Sequence, residues 1–122
     1  MKKILLVEDD QFLVRVYKLK LEKQGYEVIY LEDGREVLQT VRVEKPDLVV
    51  LDLILPKKDG VEVLKELKGN TETKDVPVLV LSQLGMPEDI EKSKEAGAID
   101  HLVKSQNSFA EVVTEVKRIL SD

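Results

Sequence analysis

Leu48-Val49-Val50-Leu51-Asp52 decides the fold: a short, unbroken apolar run closed by a carboxylate. A run of this length suits a strand, and its lack of alternation suits one buried on both faces, as in a parallel sheet. Working outward, the pattern recurs. Ile4-Leu5-Leu6-Val7 ends at Glu8-Asp9-Asp10, Val78-Leu79-Val80-Leu81 ends at Ser82, and Ile99–Val103 ends at Lys104. Pro77 precedes the Val78 run, and proline is tolerated at a strand's first residue. Tyr26–Leu31 is interrupted by Glu27 and reads as a half-exposed strand.

Amphipathic helices separate these runs. Phe109, Val112, Val113, Val116, Ile119 and Leu120 recur at helical spacing and form one apolar stripe. Phe12, Leu13, Val16 and Leu19 predict a similar stripe ahead of a stop at Gln24-Gly25. Residues 34–44 pack through Val37, Leu38 and Val41, and residues 60–68 through Val61, Leu64 and Leu67. In the segment 87–96, Ile90 and Ala96 are nearly the only apolar residues, so this helix is expected to hold least firmly to the core. The order is (βα)5. Repeated β-α-β units impose right-handed crossovers and cover both sheet faces, which makes an α/β three-layer sandwich on a parallel five-stranded sheet.

The 122 residues fit one domain, 1–122, with 43% hydrophobic and 35% charged residues. Disordered chains lack that apolar share. Nineteen basic against 24 acidic side chains leave a net charge of −5, the wrong sign for non-specific binding of nucleic acid. Cysteine is absent, which excludes disulfides, a thiolate nucleophile and cysteine-held zinc or iron–sulfur centres. His101 is the single histidine, so a histidine-rich metal site is excluded too. No apolar run approaches the roughly 18–20 residues of a membrane span. Met1-Lys2-Lys3 imitates the start of a signal peptide, but Ile4–Val7 is shorter than the ~7–15 apolar residues such a peptide needs. The expectation is a soluble cytoplasmic protein.

Open α/β sheets bind ligands beyond the carboxyl ends of their strands. The residues found there are Glu8, Asp9 and Asp10, then Asp52, Ser82 and Lys104. Carboxylates gathered at one edge repel one another unless some are protonated or a hard cation sits among them, and Mg2+ suits oxygen ligands and phosphate. Lys104 adds an ammonium that would pair with Asp52 at rest, and Ser82 adds a hydroxyl. A carboxylate nucleophile, a metal, an ammonium and a hydroxyl together make a phosphoryl-transfer site. Taken singly, each residue has a plainer explanation: Asp10 as a helix N-cap, Asp52 as a loop carboxylate, Ser82 and Lys104 as surface residues. Their coincidence at one sheet edge favours the site.

Val7-Glu8-Asp9, Leu48–Asp52 with Pro56 and Asp59-Gly60, Val80-Leu81-Ser82 and Leu102-Val103-Lys104 resemble the receiver domain of two-component response regulators, including the chemotaxis type. The resemblance runs from Lys3 to Leu120. It implies a flavodoxin-like fold with strand order 2-1-3-4-5, which alternation alone leaves open. It implies Asp52 as the phosphorylated residue, Asp9 as direct metal ligand, Glu8 as a partner through water, and the backbone carbonyl of Ile54 as a further ligand. Ser82 matches the switch hydroxyl and Lys104 the lysine that contacts the phosphoryl group. Asp9-Asp10 would also make an acid pair, but counting from the end of the apolar run favours Glu8-Asp9.

Three positions depart from the family pattern. Lys104 is followed by Ser105 where the family has proline, which puts the usual cis bond in doubt, since a cis bond before a non-proline costs about 2.5–4 kcal/mol. Gln83 stands where a small residue is usual. His101 stands at the aromatic switch position, where it can titrate near neutral pH or serve simply as a half-buried strand residue.

The resemblance implies a phosphoacceptor switch rather than an enzyme. A sensor histidine kinase or phosphotransfer protein would donate to Asp52 with Mg2+. The face made by strand 99–103 and the two last helices would then alter its binding of a downstream protein. Neither nucleic acid nor membrane is an expected partner, and the chain would be a monomer or a phosphorylation-dependent dimer. Catalysis would be limited to its own phosphorylation and dephosphorylation. The alternatives are an unphosphorylated interaction module of the same fold and a Mg2+-dependent phosphohydrolase with Asp52 as nucleophile. The hydrolase would want a second acid at position 54, which is Ile54. A flavodoxin-type cofactor binder is disfavoured by acids where a phosphate needs donors. Lys57, Lys58, Lys65 and Lys68 read as a docking patch or, more simply, a solvated helix face.

Overall fold

The computed structural model describes residues 1–121; Asp122, the last residue of the expected 1–122 domain, lies outside the described residues. Strands β1 (Lys3–Val7), β2 (Glu27–Leu31), β3 (Leu48–Leu51), β4 (Val78–Ser82) and β5 (Asp100–Val103) alternate with helices α1 (Gln11–Lys23), α2 (Val37–Glu44), α3 (Gly60–Lys68), α4 (Pro87–Glu95) and α5 (Phe109–Leu120). All strand pairs are parallel, in the order β2-β1-β3-β4-β5. This is the flavodoxin-like α/β sandwich that the resemblance implies. A short 3-10 turn, Lys104–Gln106, follows β5.

The apolar runs form the central strands because strand residues alternate between faces and here both faces are covered. Ile4, Leu6, Leu48, Val50, Leu79 and Leu81 face a core shared with α1 and α5. Leu5, Val7, Val49, Leu51, Val78 and Val80 face a second core shared with α2 and α3. Full burial of each such side chain contributes about 1.5–3 kcal/mol, which a polar residue at the same place would forfeit. β2, at the sheet edge, keeps Glu27 and Tyr30 exposed, as its broken pattern predicts.

The rotational phase of α1 differs from the expected stripe. Phe12 is 67% and Leu19 57% exposed, whereas Val14, Tyr17 and Leu21 are buried and Leu13 is partly so. Residues 14, 17 and 21 satisfy helical spacing as well as the expected set does. Packing against α5 decides between them: the Tyr17 ring meets Phe109 edge-on, with centroids 5.2 Å apart. Smaller differences occur at element ends. α2 starts at Val37 because residues 33–36 form a turn in which Asp33 accepts the Arg35 N–H. β4 runs on through Ser82, and β5 starts at Asp100, with Ile99 half exposed.

α4 is as sparsely anchored as its sequence predicts. Ser93 is the one fully buried side chain of the helix, and Ile90 and Ala96 are half-buried. The Lys104–Ser105 bond is trans; there is no cis peptide bond among the described residues. The lysines of the 57–68 region are not a uniform solvated face. Lys58 pairs with Glu66, and half-buried Lys68 donates to the carbonyls of Val76 and Lys74 at 2.6 and 3.0 Å.

Candidate functional site

β1, β3, β4 and β5 end at the same sheet edge, and the site residues stand at or just past those ends. Glu8 is 2% and Asp52 5% exposed, Ser82 is fully buried, and Asp9 is exposed. One carboxylate oxygen from each of Glu8, Asp9 and Asp52 lies within 4.8 Å of the others. Local hydrogen bonds set these positions. The Asp52 N–H donates to the Val7 carbonyl at 3.1 Å, continuing the β1–β3 ladder one residue past the strand. Asp52 Oδ1 accepts the Ile54 N–H at 3.0 Å, which turns the chain sharply after the strand. Glu8 accepts the Asp10 N–H, and Asp10 caps α1 by accepting from Phe12 and Leu13 at 2.9 and 3.2 Å. Asp10 is therefore a structural cap, and Glu8 with Asp9 makes the acid pair.

Gly60 completes the loop. Its N–H donates to the Leu53 carbonyl at 3.0 Å. A Cβ there would sit 2.4 Å from Leu53 Cα and 2.5 Å from the Asp52 carbonyl oxygen, so glycine is required for the close approach.

Lys104 crosses the site. Its Nζ lies 2.7 Å from Asp52 Oδ2 and 2.6 Å from Glu8 Oε1, with the lysine side chain 8% exposed. The Asp52 pairing was expected from the sequence; the Glu8 pairing was not. Burial works against the Lys104 charge, but the hydrogen bonds and charges of Asp52 and Glu8 outweigh it and hold the ammonium above the usual lysine range. Burial also pushes the Glu8 carboxyl up, more than its bonds from Lys104 and the Asp10 N–H pull it down. With three carboxylates against one ammonium, the centre keeps a negative balance, and its donors are all oxygens. That donor set suits a hard divalent cation.

The remaining predicted residues lie around this core. Ser82 Oγ accepts the Leu84 N–H at 3.3 Å, and Ile54 is 53% exposed beside the acids. Gln83 is exposed, and His101 is buried. Sequence reasoning missed Ser93, whose Oγ lies 2.7 Å from His101 Nδ1, and the Leu84 carbonyl, 2.7 Å from His101 Nε2. The available signal was the spacing of Ser93 three residues after Ile90, on the inward face of a helix beside a strand histidine.

The fold and site define an α/β protein with a lysine-bridged acidic centre on the carboxyl edge of its sheet. Residues 4–117 match the response regulator receiver domain family. The chain is 42% identical over 119 residues to the alkaline phosphatase synthesis transcriptional regulatory protein PhoP of Bacillus subtilis, covering 98% of this chain and 48% of that one. It thus spans about half the length of that relative. The BeF3-activated N-terminal receiver domain of Klebsiella pneumoniae RstA superposes with a TM-score of 0.90 at 30% identity, covering 99% of this chain and 100% of that one. The Mn(2+)-bound form of the response regulator Rcp1 does so with a TM-score of 0.84 at 34% identity, covering 100% and 97%. The chain belongs to the response regulator receiver domain family of two-component systems. Receiver domains accept phosphoryl groups and are not turnover enzymes in the ordinary sense.

Proposed function

We propose that Asp52 is the phosphoacceptor, with a sensor histidine kinase or a phosphotransfer protein as donor. The observation that carries this reading is the gathering of Glu8, Asp9 and Asp52 around the Lys104 ammonium at one sheet edge. An Asp52 carboxylate oxygen supplies the electron pair for the new O–P bond, and the P–N bond breaks with its electrons returning to the donor's imidazole. Lys104 stays beside Asp52 and neutralises charge on the transferred group, and Ser82 offers its hydroxyl to another phosphoryl oxygen. Glu8, Asp9, Asp52 and the Ile54 carbonyl would hold Mg2+, which supplies charge neutralisation between acid and phosphate. The Mn2+-bound relative supports a divalent cation here, and the BeF3-activated relative supports a phosphoryl-responsive site.

Phosphorylation adds a charge of roughly −1.5 to −2, which draws in Ser82 and Lys104 and shifts the loop after β4. Because α4 is weakly anchored, the face of α4, β5 and α5 changes population and selects a downstream protein. The chain acts as one receiver unit over 1–122 in the cytoplasm, as a monomer or a phosphorylation-dependent dimer, and makes no direct contact with nucleic acid. Its catalysis extends to its own phosphorylation and dephosphorylation. An apolar Ile54 where a hydrolase needs a second acid disfavours phosphohydrolase turnover.

Intact mass after incubation with acetyl phosphate tests the reading. One phosphoryl adduct that requires both Mg2+ and Asp52, absent with EDTA and in Asp52→Asn, is expected. An adduct that persists in Asp52→Asn would overturn the assignment.

A further inference from the structure

Lys104 reaches the acidic centre from a loop rather than from within the sheet. β5 lies at the sheet edge and pairs with β4 alone, and its last register pair is Ser82 with Val103. Past Val103 the backbone leaves the sheet in the short turn Lys104–Gln106. None of residues 104–107 is proline, so no ring fixes φ anywhere in this turn. Ser105 and Gln106 are exposed and lie away from the core. Lys104 nevertheless holds its Nζ 2.7 Å from Asp52 Oδ2 and 2.6 Å from Glu8 Oε1.

The Asn107 side chain closes the turn. Its Nδ2 donates to the Val103 carbonyl at 3.0 Å. That carbonyl belongs to the planar peptide that carries the Lys104 N–H, so the bond holds the unit from which the lysine departs. Asn107 itself is extended, at φ −130° and ψ 123°, and stands outside α5. The helix has anchors of its own. Ser108 Oγ accepts the Glu111 N–H at 3.1 Å, and the Ser108 N–H donates to Glu111 Oε1 at 2.8 Å. Phe109 then meets the Tyr17 ring. The Asn107 bond is therefore not what starts α5; it ties the end of the loop back to the end of β5.

We propose that Asn107 is a positioning residue for phosphoryl transfer: its amide braces the Lys104 turn and so sets where the Lys104 ammonium stands. A lysine carries its ammonium on a flexible stem, so Nζ is only as well placed as its backbone and its contacts. At rest the contacts to Asp52 and Glu8 help to hold it. During transfer an Asp52 oxygen turns to phosphorus, and the braced backbone then keeps the ammonium within reach of the phosphoryl oxygens. The inference rests on Asp52 as phosphoacceptor for its consequence in rate; the bracing of Lys104 stands on the hydrogen bond alone.

Asn107→Ala removes the brace, and Ser108→Ala removes the neighbouring cap, so the second variant reports what a merely structural loss in this loop does. Phosphorylation by acetyl phosphate is followed by intact mass across a Mg2+ titration. In Asn107→Ala the rate at saturating Mg2+ is expected to fall by about five- to tenfold, the worth of one hydrogen bond in the transition state. The half-saturating Mg2+ concentration does not rise, because Glu8, Asp9 and Asp52 keep their places. Ser108→Ala keeps the wild-type rate. A second readout needs no phosphorylation. In proton–nitrogen spectra of the lysine ammonium groups, the buried Lys104 signal is identified by its loss in Lys104→Met. It should shift or broaden in Asn107→Ala and stay in place in Ser108→Ala. A wild type that takes no phosphoryl group would count against the Asp52 reading, and the ammonium spectra would still decide whether Asn107 places the lysine. A wild-type rate in Asn107→Ala, equal slowing in both variants, or an unmoved Lys104 signal would each overturn the proposal.

Discussion

Lys104 Nζ is 2.6 Å from Glu8 Oε1, a contact as close as the one it makes to Asp52, with both side chains almost entirely buried. The lysine therefore stands between the two acids that a divalent cation would also use. Ammonium and cation answer the same need, since buried carboxylates without a counter-charge are costly.

Replacing the lysine should expose this substitution of roles. Lys104→Met leaves Glu8 and Asp52 buried together without their shared cation. It is expected to lower stability by about 3–5 kcal/mol in EDTA. Millimolar Mg2+ should restore more stability to the variant than to the wild type, because a ligand that binds only the folded state stabilises it by mass action. Urea unfolding with and without Mg2+ measures both; an equal Mg2+ effect on the two proteins would separate Lys104 from the cation site.

The same pair predicts an alkaline signature. Lys104 in the folded state is held above the ordinary lysine range. A lysine raised in this way contributes stability that is fully present below its unfolded value of about 10.4 and is lost as pH rises through the folded value. The stability gap between wild type and Lys104→Met should therefore be constant from neutral pH to about pH 10 and shrink above it. A gap unchanged through the highest pH at which the protein folds would mean that Lys104 gains nothing from its partners.

The sheet was legible because its central strands are covered on both faces, so Ile4–Val7, Leu48–Leu51 and Val78–Leu81 admit no polar interruption. The site was legible for a related reason: acids, serine and lysine stand at the first positions past those runs. Two things were hidden. Helical spacing left two phases open for α1, and the Tyr17–Phe109 contact that selects one joins residues far apart in the chain. The reach of long or polar side chains was also hidden, since neither the Lys104–Glu8 bond nor the Ser93–His101 bond follows from sequence spacing.

The α1 finding has a direct test. Phe12→Ser and Leu19→Ser remove exposed side chains and should change stability by no more than about 0.5 kcal/mol. Val14→Ala and Leu21→Ala remove buried ones, and the leucine should cost about 2–5 kcal/mol, the valine less. Urea midpoints of the four variants give the answer. A large loss at Phe12 with little at Leu21 would restore the phase first expected from the sequence.

On the proposed reading, Ile54 is expected to set how long a phosphoryl group on Asp52 lasts. The residue is 53% exposed and stands two places from Asp52, yet its side chain has no group to orient an attacking water. A single well-placed hydrogen bond is worth about 1 kcal/mol. Ile54→Asn should therefore shorten the phosphorylated lifetime by roughly five- to tenfold while leaving stability nearly unchanged. Following decay of the adduct by intact mass after removing the donor decides this, and equal lifetimes would show that water is limited by something other than this side chain.

Gly60 places Asp52 through the backbone rather than through any side chain. A β-carbon there would be 2.4 Å from Leu53 Cα and 2.5 Å from the Asp52 carbonyl, atoms that cannot turn aside as a flexible side chain can. Relief requires α3 to pull away from the loop, breaking the Gly60 N–H bond to Leu53 and carrying Asp59 off its capping bond to Val61. Gly60→Ala is expected to cost about 3 kcal/mol or more, at the upper end for overpacking. It should also slow phosphorylation by acetyl phosphate under conditions where the variant is still folded, because Asp52 shifts relative to Lys104. Gly69→Ala is the control, since a Cβ there meets nothing closer than the Lys65 carbonyl at 3.1 Å. If both variants lost the same stability and kept the same phosphorylation rate, the close approach at Gly60 would not be what sets the position of Asp52.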